Sequence, residues 1–252
     1  MKQLFFITGL VFLLSSCGQP SGNGREPGSE RQTSKKVTRY SDTIKDGILK
    51  ITPTGEDTVI SLQDMKNEHM RAAQANYDAG VRYYNNGDLD NALSQFKSSL
   101  EYFPNNSQAA HYIARIYFEK GEKTLSLSYY EDAVRLNPED SVSMLAIGQV
   151  YFDMRNFDKA MEYYDMTVGI APKYGLAYYN RGTLFGMQKK YIPALDDLNL
   201  SIKLNPENPN AYLNRGLAYF YLENRDAACK DWSKASEMGL EKGTEAFETY
   251  CK

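Results

Sequence analysis

The chain of 252 residues carries 29 Lys and Arg against 32 Asp and Glu, a formal charge of -3, with 42% hydrophobic and 13% aromatic residues. That composition can build a sizeable core and excludes a disordered chain, and it lacks the basic footprint that attracts nucleic acid. The two histidines, His69 and His111, and the three cysteines do not fall at metal-ligand spacing, so no metal site and no cofactor are expected.

The first element is a leader. Met1, Lys2 and Gln3 precede an uncharged apolar run from Leu4 to Leu14, then Ser15, Ser16 and Cys17. A basic start, a short apolar core and small residues before a cut site describe a secretory signal peptide over residues 1–16, too short to be a good permanent bilayer span. Leu14-Ser15-Ser16-Cys17 resembles the lipobox of bacterial lipoproteins. The resemblance implies cleavage before Cys17, acylation of that residue and a membrane anchor through its acyl chains; the alternative is an ordinary leader that leaves Cys17 as a free thiol. Gly18 after the cysteine, with no acidic run following, resembles lipoproteins sent to the outer membrane and kept facing the periplasm.

Residues 17–36 are rich in Gly, Ser, Pro and charge and read as a flexible tether. In residues 37–61, Ile44, Ile48, Leu49, Ile51, Val59 and Ile60 flank Thr52-Pro53-Thr54-Gly55, a turn signal. This segment is either a small β-hairpin or a partly ordered extension lying on the first helices.

From there the chain repeats. Pro104, Pro138, Pro172 and Pro206 stand 34 residues apart, and other registers keep the same step. Gly80, Ala114, Gly148, Gly182 and Gly216 each precede Tyr83, Tyr117, Tyr151, Phe185 and Tyr219 by three residues, on one helical face. Ala92, Ser126, Ala160, Ala194 and Ala228 precede Phe96, Tyr130, Tyr164, Leu198 and Trp232 by four. Each unit is therefore two amphipathic helices: a small residue on the first lets the second approach, large side chains fill the space between, and proline ends the second helix. Gly87 and Gly121 supply left-handed stops between the helices, and Pro193 suits a first helical turn.

These registers resemble the tetratricopeptide repeat family, over about residues 73 to 240. The resemblance implies an all-α, right-handed superhelical solenoid of about five hairpins, near 73–106, 107–140, 141–174, 175–208 and 209–240, within a domain of residues 62–240. Residues 61–71 extend the first helix, and residues 241–252 form a capping helix over the last apolar face, with Leu240, Ala246, Phe247 and Tyr250 on one stripe. Cys229 and Cys251 lie equally far from a turn near Leu240, so antiparallel packing sets them side by side. They are either a disulfide, the favoured reading in an oxidising compartment, or two small core residues that stay reduced.

In the family, ligands meet the second, fifth, ninth, twelfth and thirteenth positions of each first helix. Carried onto this sequence, the fifth positions are Tyr77, His111, Leu145, Tyr179 and Leu213; the ninth are Val81, Arg115, Gln149, Thr183 and Leu217; the twelfth include Tyr84, Phe118, Phe152 and Phe220, with Gly186 between them. About half of these are expected to pack as core. The rest imply an aromatic groove for a segment of another envelope protein, and hence a membrane-anchored scaffold or adaptor. Asn180 and Asn214 stand at sixth positions, but the paired lysines of chaperone-tail clamps are missing. A carrier for a small ligand or glycan is the alternative. An enzyme is disfavoured, since no phosphate loop and no convergent set of acid, base and nucleophile is present.

Overall fold

The structure, a computed structural model, describes residues 44–45, 48–51 and 58–252. The leader, the Cys17 lipidation site, the tether and the Thr52–Gly55 turn signal lie outside the described residues. The chain divides into two compact units, one running to Ala109 and the other spanning Ala110–Lys252.

The first unit opens with three short strands, β1 (Ile44–Lys45), β2 (Ile48–Ile51) and β3 (Thr58–Ser61), in an antiparallel sheet of order β1-β2-β3. Leu49 faces Ile44 on one side and Ile60 on the other. Strand β3 runs directly into α1 (Leu62–Asn85), so the first helix does begin well ahead of its repeat. It pairs with α2 (Leu89–Tyr102). At Gly80 an added Cβ would lie 2.7 Å from the ring of the fully buried Phe96, the steric reason for glycine there. The hairpin is also pinned by a buried hydroxyl: Ser99 Oγ donates to the Ala73 carbonyl at 2.8 Å and accepts from Asn106 Nδ2 at 3.1 Å.

The second unit continues the pattern. Helix α3 (Ser107–Glu119), which carries the unit boundary, is followed by α4 (Lys123–Leu136), α5 (Ser141–Asp153), α6 (Phe157–Ile170), α7 (Gly175–Met187), α8 (Tyr191–Leu204), α9 (Pro209–Tyr221), α10 (Arg225–Glu237) and α11 (Glu241–Tyr250). The small-against-large contact recurs: an added Cβ would lie 2.6 Å from Tyr164 at Gly148, 3.1 Å from Leu198 at Gly182 and 2.6 Å from Trp232 at Gly216. The helices after α3 are stacked hairpins, each second helix ending one residue before its Asn, Ala or Asn that precedes proline at 138, 172 and 206.

The turns inside the hairpins depart from the sequence reading. Glycine stops are expected at Gly87 and Gly121, and both have positive φ, but Arg155, Lys189 and Glu223 occupy the same register with φ of 62°, 62° and 63°. In an L-residue the left-handed conformation costs about 1–2 kcal/mol, of which glycine gives back part as unfolded-state entropy. Each of Arg155→Gly, Lys189→Gly and Glu223→Gly should therefore raise stability by about 0.5–1 kcal/mol, and the three together should shift a urea midpoint upward. A triple variant less stable than the parent would contradict this account of the turns.

The last face of the stack is covered by α11. Gly243 packs on α10 so closely that a Cβ would lie 2.7 Å from Ala235 Cβ and 2.9 Å from the Ser236 nitrogen. Cys229 and Cys251 are joined by a disulfide, with Cα atoms 5.7 Å apart and 22 residues of separation. The Arg225 guanidinium donates from Nε (2.7 Å) and from Nη2 to the Tyr250 carbonyl, and the rings of Phe220, Trp232 and Tyr250 form a cluster with centroids 4.9 to 5.7 Å apart.

Candidate partner-binding face

The groove residues read from the sequence separate by burial. In the first unit Tyr77, Val81 and Tyr84 lie half-buried on α1. In the second, Leu145, Phe152, Tyr179, Thr183 and Leu213 are buried and hold helices together, so they do not line an open groove. The cause is geometric: stacking turns these first-helix positions toward the neighbouring hairpin. His111, Phe118, Gln149, Leu217 and Phe220 remain half-buried and Arg115 is exposed, while Phe220 is turned into the Trp232–Tyr250 cluster.

Two apolar side chains that the sequence reading left unnamed complete the face. Val142 near the start of α5 and Leu176 near the start of α7 are 50% and 37% exposed and stand one repeat apart, at second positions. Their shared 34-residue register was the available signal. Tyr221 at the end of α9 is also exposed and stacks on Tyr191, with centroids 4.8 Å apart and planes at 9°. The face is thus a strip of exposed and half-buried apolar side chains on first helices, with His111 and Arg115 one turn apart at one end.

His111 is held precisely in chemical terms. Asp140, the N-cap of α5, accepts from the Val142 and Ser143 amides and from Ser143 Oγ at 2.5 Å. Ser143 Oγ in turn lies 2.7 Å from His111 Nδ1. A hydroxyl has one proton; with it directed to Asp140, His111 Nδ1 must be the donor, which fixes the tautomer and leaves Nε2 as the acceptor of the neutral ring. Burial lowers the imidazole pKa, Asp140 opposes that shift and Arg115 adds to it.

Behind the face lies a polar core. Tyr179 is pushed up to about 12 by burial, partly offset by hydrogen bonds to Thr183 and Asn214, and Asn214 Nδ2 donates to Thr183 Oγ1 at 3.0 Å. The Asn180 carboxamide and the Tyr164 hydroxyl are buried with no hydrogen-bond partner among the described residues. Asn180 and Asn214 are thus core residues rather than surface ligands.

A further register escaped the sequence reading because that reading followed apolar residues. Arg181 donates from Nε and Nη2 to both oxygens of Asp197 at 2.8 Å and from Nη1 to Asp165 at 2.8 Å. Arg215 does the same to Asp231, at 2.8 and 2.7 Å, and to Asn199 at 2.8 Å. Hydrogen bonding to Asp197 and Asp231 raises the pKa of each guanidinium, against burial. One and two repeats earlier these positions hold Ile147 with Tyr163 and Ile113 with Tyr129, and there the tyrosines stack on Tyr151 and Tyr117 at 5.6 and 5.7 Å.

Among the described residues there is no group of three or more His, Cys, Asp and Glu able to hold a metal, and no helix is long and apolar enough to cross a membrane. The tetratricopeptide repeat profile matches residues 77–141 and 125–175. No curated protein matches the chain. Among solved structures, the chain is similar to MamA protein (22% identity, covering 73% of this chain and 96% of that one, TM-score 0.57). It is also similar to YrrB, described as a TPR protein with an unusual peptide-binding site (19%, 74% and 97%, TM-score 0.57). A third is pilF of Pseudomonas aeruginosa (16%, 73% and 90%, TM-score 0.63). The fold of the helical part is an all-α tetratricopeptide-repeat solenoid, preceded by the small sheet.

Proposed function

We propose that this repeat protein is a membrane-anchored scaffold of the bacterial envelope that holds a segment of a partner protein on its first-helix face. Tetratricopeptide-repeat proteins generally act as binding scaffolds without chemistry of their own, and a peptide-binding site is named for the similar YrrB. The observation that carries the reading is the strip itself: Val142 and Leu176 exposed in one register, beside half-buried Phe118 and Leu217. Apolar side chains repeated on one face supply anchors for a partner segment.

The anchor rests on the sequence alone: a leader ending in a lipobox-like motif at Cys17, then a polar tether that would let the solenoid reach away from the bilayer. Outer-membrane attachment facing the periplasm follows from the same resemblance. The alternative leaves a free thiol open to oxidation in an oxidising compartment, which supports acylation.

A photocrosslinking residue placed at Leu176 should capture one protein in the native cell, and the same residue at Ile192, which is 65% exposed on the second helix α8, should not. Equal capture at both positions would remove the face from consideration. In the same cells Cys17→Ser should release the protein from the membrane fraction; continued membrane association would refute the anchor.

A further inference from the structure

The partner-binding face contains one polar group whose proton is assigned by its neighbours. His111 Nδ1 donates to Ser143 Oγ, and the Ser143 hydroxyl donates its only hydrogen to Asp140 Oδ2. The ring is braced edge-to-face against Tyr130 and Tyr112, at 5.3 and 5.8 Å, which fixes its plane, and a half-turn that keeps that plane would take Nδ1 away from Ser143 Oγ and break the relay. His111 Nε2 has no hydrogen-bond partner among the described residues and is not sealed from solvent, on a half-buried side chain of the face.

We infer that His111 Nε2 is a fixed hydrogen-bond acceptor that selects a partner segment presenting a neutral donor, a hydroxyl or an amide N–H, and that protonation of the ring releases that segment. The inference rests on the proposed partner-binding face. Charge decides the donor class. A carboxylate finds no proton on Nε2 of this tautomer, and Asp140, ahead of α5, already acts on the ring. A cationic donor meets Arg115, one turn along the same stripe of α3. A neutral donor meets neither objection.

The groups around the ring are Arg115, Glu119 and Tyr112 on α3, Tyr130 on α4, and Asp140 with Ser143 at the start of α5. Of these Tyr130 is held as the neutral phenol by burial, its pKa well above the usual value. The imidazole is therefore the group among them that changes charge in mildly acidic solution. Because burial lowers its pKa, the ring is neutral at neutral pH and the acceptor is available there. Acidification through this lowered pKa places a proton on Nε2 and turns the acceptor into a donor.

A random-peptide phage library selected on the purified full chain, which carries the whole face, supplies the probe. Clones are first sorted by loss of binding to Val142→Ser, which marks the face without adding a charge beside the relay. These clones should bind at about pH 7.5 and weaken progressively as the pH is lowered to about 5.5, because the neutral ring is the binding form. His111→Gln, whose carboxamide oxygen accepts but does not titrate, should retain binding at both values, and His111→Ala should lose it at both. Face-dependent clones that bind equally at the two pH values, or that are rich in Asp and Glu and bind better in acid, overturn the inference while leaving the face intact. Absence of any Val142-dependent clone overturns the face and the inference together. As a check independent of binding, nitrogen NMR of the ring at neutral pH should show the proton on Nδ1; a proton on Nε2 overturns the assignment.

Discussion

Asp231→Ala should destabilise the protein by about 3–5 kcal/mol, a larger loss than most surface or turn substitutions can produce. Asp231 and Arg215 retain only 8% and 19% of their side-chain exposure, and the pair is closed by two parallel hydrogen bonds. Deleting the carboxylate leaves a guanidinium in a largely dry site with the neutral Asn199 as its remaining hydrogen-bond partner among the described residues, and that desolvation has no compensating charge. The same chain contains the remedy. Two repeats earlier the register holds Ile147 and Tyr163, so Arg215→Ile combined with Asp231→Tyr reproduces an arrangement this fold already packs. The double variant should recover most of the loss, giving a coupling of at least about 2 kcal/mol in a double-mutant cycle. Urea unfolding of the four proteins measures it. An Asp231→Ala cost below about 1 kcal/mol would show that the pair is a solvated surface bridge.

The second large effect concerns the closed end. Cys229→Ser with Cys251→Ser should cost about 3 kcal/mol by the chain-entropy account of a loop of this size. The loss should be local in character. Amides of α11 should exchange much faster, since the Gly243 and Ala246 packing, the Ser236–Thr244 hydroxyl contact, the Arg225 clamp and the ring cluster would then hold the helix without a covalent tie. Amides of α5 and α6 should change little. An unfolding midpoint that is the same with and without a dithiol reductant would remove the bridge from the stability of this unit.

What the sequence revealed was what sterics dictates. A small residue that faces a large side chain recurs wherever that side chain recurs, so Gly80 with Phe96, Gly148 with Tyr164 and Gly216 with Trp232 are visible as spacing before any coordinates. The helix ends before proline are visible for the same reason. Three things were not legible. Arg155, Lys189 and Glu223 adopt a conformation that their chemistry disfavours, and only the hairpin geometry imposed by the neighbouring helices requires it. The split of the groove residues into buried Leu145, Phe152 and Leu213 and accessible Phe118 and Leu217 depends on how far each hairpin overlaps the next, which a single-helix pattern does not contain. The Arg181 and Arg215 clamps were present as a 34-residue register, but a search for apolar periodicity passes over charged residues.

Those clamps carry one last implication. The slot between the two helices of a hairpin is filled by stacked tyrosines beside α3 and α5 and by guanidinium–carboxylate pairs beside α7 and α9. Apolar contacts weaken on cooling, whereas the desolvation cost of an ion pair falls on heating. Neighbouring layers of one continuous stack therefore share the sign of their thermal response and differ in its origin. A fall in temperature loosens both kinds of slot, so no hairpin of the stack is spared at the cold end.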